Sequence, residues 1–261
     1  PLQKPVKISY KKGNRKFHLD PKESDFDLIS EIDQMHVPFW VPSSPIMFKG
    51  EEFGDLWRAG YHKGYSHTHD FYTKRNLIAL SIIYGEIQKF QDNPSLHRIL
   101  TFIFSSLYSR SHRMNRYIPK HGRHVGPLSG TLYMSSLQVE INVYNLFKEK
   151  TKSILGALSQ VNKNDVMIST QSVTSLSKNI PSNSIDYIYT DPPFGDNLPY
   201  SELNFLMEDW LRLHTNINSE AIINNHQHKE LDSYNQLMLL SFIEYFKVLK
   251  PNRWITVVFH N

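Results

Sequence analysis

Thr190-Asp191-Pro192-Pro193-Phe194-Gly195-Asp196-Asn197 is the stretch whose residue types and spacing could do chemistry. A carboxylate accepts hydrogen bonds from a polar ligand. Two successive prolines fix their own φ at about −65° and bias Asp191 away from the helical region. The acid and the ring of Phe194 are thereby held in a preset geometry before any ligand arrives, which suits catalysis by positioning. Asp196 and Asn197 fit either supporting polar groups or plain turn residues. The alternative for the whole string is a Pro-Pro turn capped by an aspartate, with no chemistry in it.

A second candidate lies upstream, where Arg110, Arg113, Arg116, Lys120 and Arg123 alternate with Tyr108, His112, Tyr117, His121 and His124. Alternating cations and rings suit a clamp on nucleic-acid phosphates, which fixes position without reading sequence; a solvated basic loop is the alternative. No metal site is expected: His226 and His228 are two apart, but no carboxylate or third histidine accompanies them at a useful spacing. The absence of cysteine rules out a disulfide framework, thiolate zinc and a cysteine nucleophile, and fits a reducing cytoplasm. A formal charge of +4 allows a polyanionic partner without requiring one.

The elements that must position these groups follow from periodicity. Lys-Lys-Gly-Asn at 11–14 could join two short strands, Val6–Tyr10 and Lys16–Leu19, as a peripheral hairpin. From Val37 to Gly64, aromatic residues, prolines and glycines crowd into an irregular segment anchored by buried rings. Thr73 reads as the N-cap of a helix to Phe90, with Leu77, Leu80, Ser81, Tyr84 and Ile87 at the helical period and Asn93-Pro94 as its stop. Gly122 to Gly130 reads as loop, Leu137 to Leu158 as an amphipathic helix, and Val166–Ile168 as a strand. Ile185–Tyr189 is too apolar for a surface strand and reads as the centre of a parallel sheet, so the Asp191 string falls at a strand's carboxyl end, where open α/β sheets bind ligands. Helices at about 201–214 and 233–248 and a final strand Trp254–Phe259 complete an α/β alternation. With 261 residues, 40% of them hydrophobic, the chain can bury a substantial core, and no apolar run reaches the roughly 18 residues of a membrane span. Both ends read as cut, so a piece of a longer protein is expected.

Asp-Pro-Pro-Phe after an apolar strand resembles the motif of the amino-methylating nucleic-acid methyltransferases. The likeness extends to Ile168–Ser172, Pro181–Ile188, Gly195–Leu203, Trp210-Leu-Arg212 and Val248–Pro251, and more faintly to Phe71–Leu80 and Gly130–Tyr133. Together these resemble bacterial adenine-specific DNA methylases over about residues 37–261. The resemblance implies a Rossmann-like class I sheet with helices on both faces, preceded by an irregular N-terminal arm over 1–64, with the catalytic region at 65–261 and its basic loop at 108–130. It implies S-adenosylmethionine as cofactor and a base flipped out of DNA. Asp191 and the carbonyl of Pro192 would accept hydrogen bonds from the exocyclic amine, Pro193 would stiffen the loop, and Phe194 would stack on the base. Thr73, Arg75 and Asn76 would lie beside the methionine end of the cofactor. The glycine-rich cofactor loop of such enzymes is missing, since Gly54, Gly60 and Gly64 are not so spaced. That departure implies a loop supplied by the remainder of the chain or by a second subunit. The rival readings are an RNA methyltransferase with the same motif and a catalytically silent DNA-binding subunit.

Overall fold

The computed structural model describes residues 4–46, 65–121, 123–160 and 166–259. The chain is mixed α/β, and its described residues divide into two compact units. The first comprises the described residues of Pro1–Ser43, Lys63–Pro127 and Met134–Ser159; the second, those of Ser44–His62, Leu128–Tyr133 and Gln160–Asn261. Much of the expected aromatic segment, from 47 to 64, lies outside the described residues. Among the described residues no helix is long and apolar enough to cross a membrane.

In the first unit, Gly13 at φ 61° closes a tight hairpin between antiparallel strands β1 (Ile8–Lys12) and β2 (Arg15–Leu19), with Tyr10 paired to and stacked on Phe17 at 5.4 Å. Helix α1 (Glu23–Gln34) follows. Helix α2 (Lys74–Gln88) begins where the Thr73 hydroxyl accepts from the Asn76 N–H at 3.3 Å, and Leu77, Leu80, Ser81, Tyr84 and Ile87 are all buried, the face the period predicted. Its other neighbour is the Phe39 ring, which packs so tightly on Gly85 that a Cβ there would lie 2.6 Å from the ring carbons. Asn93 also starts helix α3 (Pro94–Ser105), its side chain accepting from the Leu96 N–H with Pro94 in the first turn.

The basic segment is more ordered than a loop. A single turn, α4 (Tyr108–Ser111), leads into antiparallel strands β3 (Arg116–Ile118) and β4 (Arg123–Val125), with Arg116 opposite Val125 and Ile118 opposite Arg123. Helix α5 (Val143–Leu158) starts at Val143 rather than at Leu137. The reason is a competing long-range pairing: the Leu137 carbonyl accepts from the Tyr117 N–H at 3.0 Å and the Val139 N–H donates to Asn115 at 2.9 Å. Asn142 then caps the helix through the Asn145 N–H.

In the second unit, strand β5 (Ile185–Thr190) precedes the Asp191 string, and helices α6 (Tyr200–Trp210) and α7 (Leu231–Val248) lead to strand β6 (Leu249–Val257). β5 and β6 pair in parallel: Tyr187 faces Trp254 and Thr190 faces Val257. Ile185 faces Leu249, so Lys250–Arg253 bulge outward, with Asn252 at φ 61°. Three expectations change here. Among the described residues every sheet has two strands, so β5 has one strand neighbour and is not a buried centre. Val166–Ile168 is not a strand; among the described residues it has no ladder partner, and Ile168 is 90% exposed. The predicted helix to 214 ends at Trp210, because Arg212 takes a left-handed φ of 55°.

Candidate functional site

The loop after β5 is held from several directions. The Thr190 hydroxyl meets the Tyr245 hydroxyl at 2.9 Å, and the Thr190 carbonyl accepts from Val258 N–H. The Tyr234 hydroxyl donates to the Pro193 carbonyl at 2.9 Å. The Phe194 carbonyl accepts from Asn197 N–H, and the Gly195 carbonyl accepts from Ile223 N–H at 3.0 Å. Gly195 sits at φ 59°, a left-handed turn that a side chain would strain. Two acceptors stay open in this scaffold: among the described residues no hydrogen bond or ion pair engages the exposed Asp191 carboxylate, and none engages the Pro192 carbonyl. Phe194 is half-buried.

Behind that loop stands a polar network that sequence reasoning missed. Ser201 donates to Glu220 through both its N–H (2.8 Å) and its hydroxyl (2.7 Å), and Gln227 donates to Glu220 at 3.0 Å. Buried Asn224 donates to buried Glu202 at 3.1 Å, and the Lys229 ammonium donates to the Ile217 and Glu220 carbonyls. Burial lowers the Lys229 pKa, with the nearby Glu220 charge opposing it. The network fixes the segment that carries Ile223, and through it the turn at Gly195. Glu202 shares the buried face of α6 with Phe205, Leu206 and Trp210, a helical spacing that could have singled it out, whereas only the fold reveals the partners of Glu220. Elsewhere in this unit, Lys247 and the Ser177 N–H hold the Glu244 carboxyl down, to about 2, tying α7 to the turn at 173–178.

The expected cofactor residues belong to the first unit, and each is already engaged there. Thr73 caps α2, Arg75 pairs with Glu140 at 2.7 Å, and the Asn76 side chain is buried and donates to the Ser111 carbonyl at 2.8 Å. The five basic residues separate by role. Arg110 and Lys120 are exposed. Arg116 donates through Nε to the Gly126 carbonyl at 3.1 Å, which braces the hairpin, and the Arg113 guanidinium lies 5.8 Å over the Tyr65 ring. Arg123 holds a ladder position opposite Ile118. Burial and then the Arg110 and Lys16 charges lower the His124 pKa and favour its neutral form. His112 is buried against the edge of Tyr108 at 5.1 Å, and among the described residues no other residue hydrogen-bonds either of its ring nitrogens. Burial drives it down to about 4, against a smaller pull from its own backbone, and pushes Tyr108 up to about 12.

His226 lies in the short turn Asn225–Gln227, which His228 ends at a left-handed φ of 53°, and the two belong to no three-residue ligand cluster among the described residues. A different group does: His67, His69 and Asp70 bring ligand atoms within 4.8 Å of one another. Compared with known proteins, the chain matches no family model, no curated protein and no solved structure.

Proposed function

We propose that this chain carries the base-handling part of an S-adenosylmethionine-dependent DNA methyltransferase acting on an exocyclic amine, adenine in preference to cytosine. The observation that carries the reading is the loop after β5: two unclaimed acceptors, Asp191 and the Pro192 carbonyl, on a backbone fixed by two prolines, Tyr234 and Ile223. An exocyclic amine has two hydrogens and a lone pair delocalised into its ring, which makes it a poor nucleophile. Accepting both hydrogens draws the lone pair out of conjugation. The acceptors are fixed beforehand, so no reorganisation is needed when charge develops. Phe194 offers a ring for stacking on a flipped base. Exposed Arg110 and Lys120 are the side chains best able to reach phosphates.

The cofactor does not fit the residues expected to hold it, since Thr73, Arg75 and Asn76 are spent on a cap, an ion pair and a buried hydrogen bond. The reading places its glycine-rich loop on further strands, from the remainder of the chain or a second subunit, that complete a Rossmann-like sheet. Support comes from the parallel pair itself: parallel sheets are normally covered on both faces, yet Tyr189 is 66% and Trp254 78% exposed.

Asp191→Ala in the assembled enzyme lowers methyl transfer about 100- to 1000-fold, the effect of losing one positioned hydrogen-bonding group. DNA affinity stays within a few-fold, because the acid faces the amine and not phosphate. Near-normal turnover would remove Asp191 from the chemistry. Preference for structured RNA in competition with duplex DNA would move the reading to an RNA methyltransferase.

A further inference from the structure

We propose that His67, His69 and Asp70 form a binding site for a divalent transition-metal ion of the zinc class, independent of the methyl-transfer reading. The three lie on one short turn, and its backbone is pinned. Thr68 and Phe71 are fully buried, Phe71 packs against Tyr65 at 5.7 Å, and its carbonyl accepts from the Arg113 N–H at 2.7 Å. The ligand-bearing positions are thus fixed by packing that does not itself depend on a metal.

For Asp70 and His67 the free ligand atom is singled out by what its neighbour atom already does. The Asp70 Oδ2 accepts from the Ser66 N–H (2.8 Å), the His67 N–H (2.9 Å) and the Ser66 hydroxyl (3.2 Å). Its Oδ1 is left facing His69 Nε2 at 3.6 Å. The Ser66 hydroxyl meets His67 Nδ1 at 2.8 Å, which orients that ring and leaves Nε2 for an outside partner. His69 Nδ1 is shielded from solvent and has no partner among the described residues, a state that calls for an explanation. The two rings stack, with centroids 5.4 Å apart and an 18° interplanar angle.

Ligand atoms within 4.8 Å of one another need to close by up to about 1.5 Å to surround an ion tetrahedrally at metal–ligand distances of about 2.0–2.1 Å. The closure falls to the side chains, since the backbone of the turn is pinned. Two imidazoles and one carboxylate favour zinc, cobalt or nickel over magnesium or calcium, which prefer all-oxygen shells. Three protein ligands leave a fourth position for water or another donor.

The test is titration of the tag-free full chain with zinc by calorimetry, and with cobalt by visible absorption. One ion per chain with low-micromolar or tighter affinity is expected, with the intense visible bands of tetrahedral cobalt. His69→Ala and Asp70→Asn each weaken binding by at least about tenfold; His226→Ala does not. Asp70→Asn keeps an acceptor for the turn's N–H groups, so it separates loss of a ligand from loss of the fold, which circular dichroism monitors. No saturation by zinc in the micromolar range, or affinity unchanged in Asp70→Asn, overturns the site.

Discussion

In the first unit, helix α2 turns the apolar side chains of its period inward, and Leu77, Leu80, Tyr84 and Ile87 are all buried. In the second, helix α7 is apolar on nearly every side, yet only Glu244 and Val248 are buried, while Leu239, Ile243 and Phe246 stand exposed. A helix that is apolar all round normally belongs in an interior. The strands beside it repeat the pattern, with Tyr187, Tyr189 and Trp254 exposed on a parallel pair. Helix α2 has buried the apolar face that its period defines, whereas helix α7 and the β5–β6 pair hold apolar side chains that the described residues leave uncovered.

That contrast can be broken or sharpened by mutation. The largest effect is expected at Phe71, whose side chain is fully buried: Phe71→Ala should lower unfolding free energy by about 3–5 kcal/mol, read by urea denaturation. His112 comes next. Its folded pKa of about 4 lies below the ordinary 6.5, so the unfolded chain binds the extra proton first. The resulting stability is fully present above about pH 6.5 and is lost as pH falls toward 4, by up to about 3 kcal/mol. Replacing His112 with Leu should flatten that part of the stability–pH curve, whereas a slope persisting unchanged would assign it to other groups.

Gly85→Ala should cost about 1–3 kcal/mol through its clash with the Phe39 ring, offset by about 1 kcal/mol of helix propensity, and a clearly stabilised protein in thermal melts would mean that Phe39 moves aside. The smallest effect belongs to the other region: Phe246→Ser, at an 83% exposed position, should change the stability of the chain alone by no more than about 0.5 kcal/mol. A loss of several kcal/mol there would show that the chain covers this face by itself.

What the sequence disclosed follows the range of the forces involved. Caps act over three residues, so Thr73 could be read as the start of a helix and Asn93-Pro94 as a boundary. The hairpin of 8–19 was equally local. The Asn142 cap was missed because Leu137 and Val139 continue the apolar period backward, and only their pairing with Tyr117 and Asn115 shows that this backbone is used elsewhere. Val166–Ile168 has strand composition, but a strand is a relation between two segments and no partner is paired with it. The Asp191 string was legible as a rigid acidic turn. Its supports were not, since Tyr234 lies 41 residues away in sequence. The roles of Arg113, Arg116 and the 67–70 turn were hidden for the same reason: charge and ring content are visible in a sequence, and which of those groups are already occupied is not.

The exposure of Trp254 has an optical consequence. Indole emission shifts to shorter wavelength as polar surroundings are removed, and Trp254 is 78% exposed while Trp210, in the same unit, is 3% exposed. Any strand or helix laid over the β5–β6 pair would draw the Trp254 emission toward the blue and leave that of Trp210 nearly constant. The chain therefore carries, on the face left open, its own fluorescent reporter of whether that face has been covered, with a buried indole in the same unit as reference.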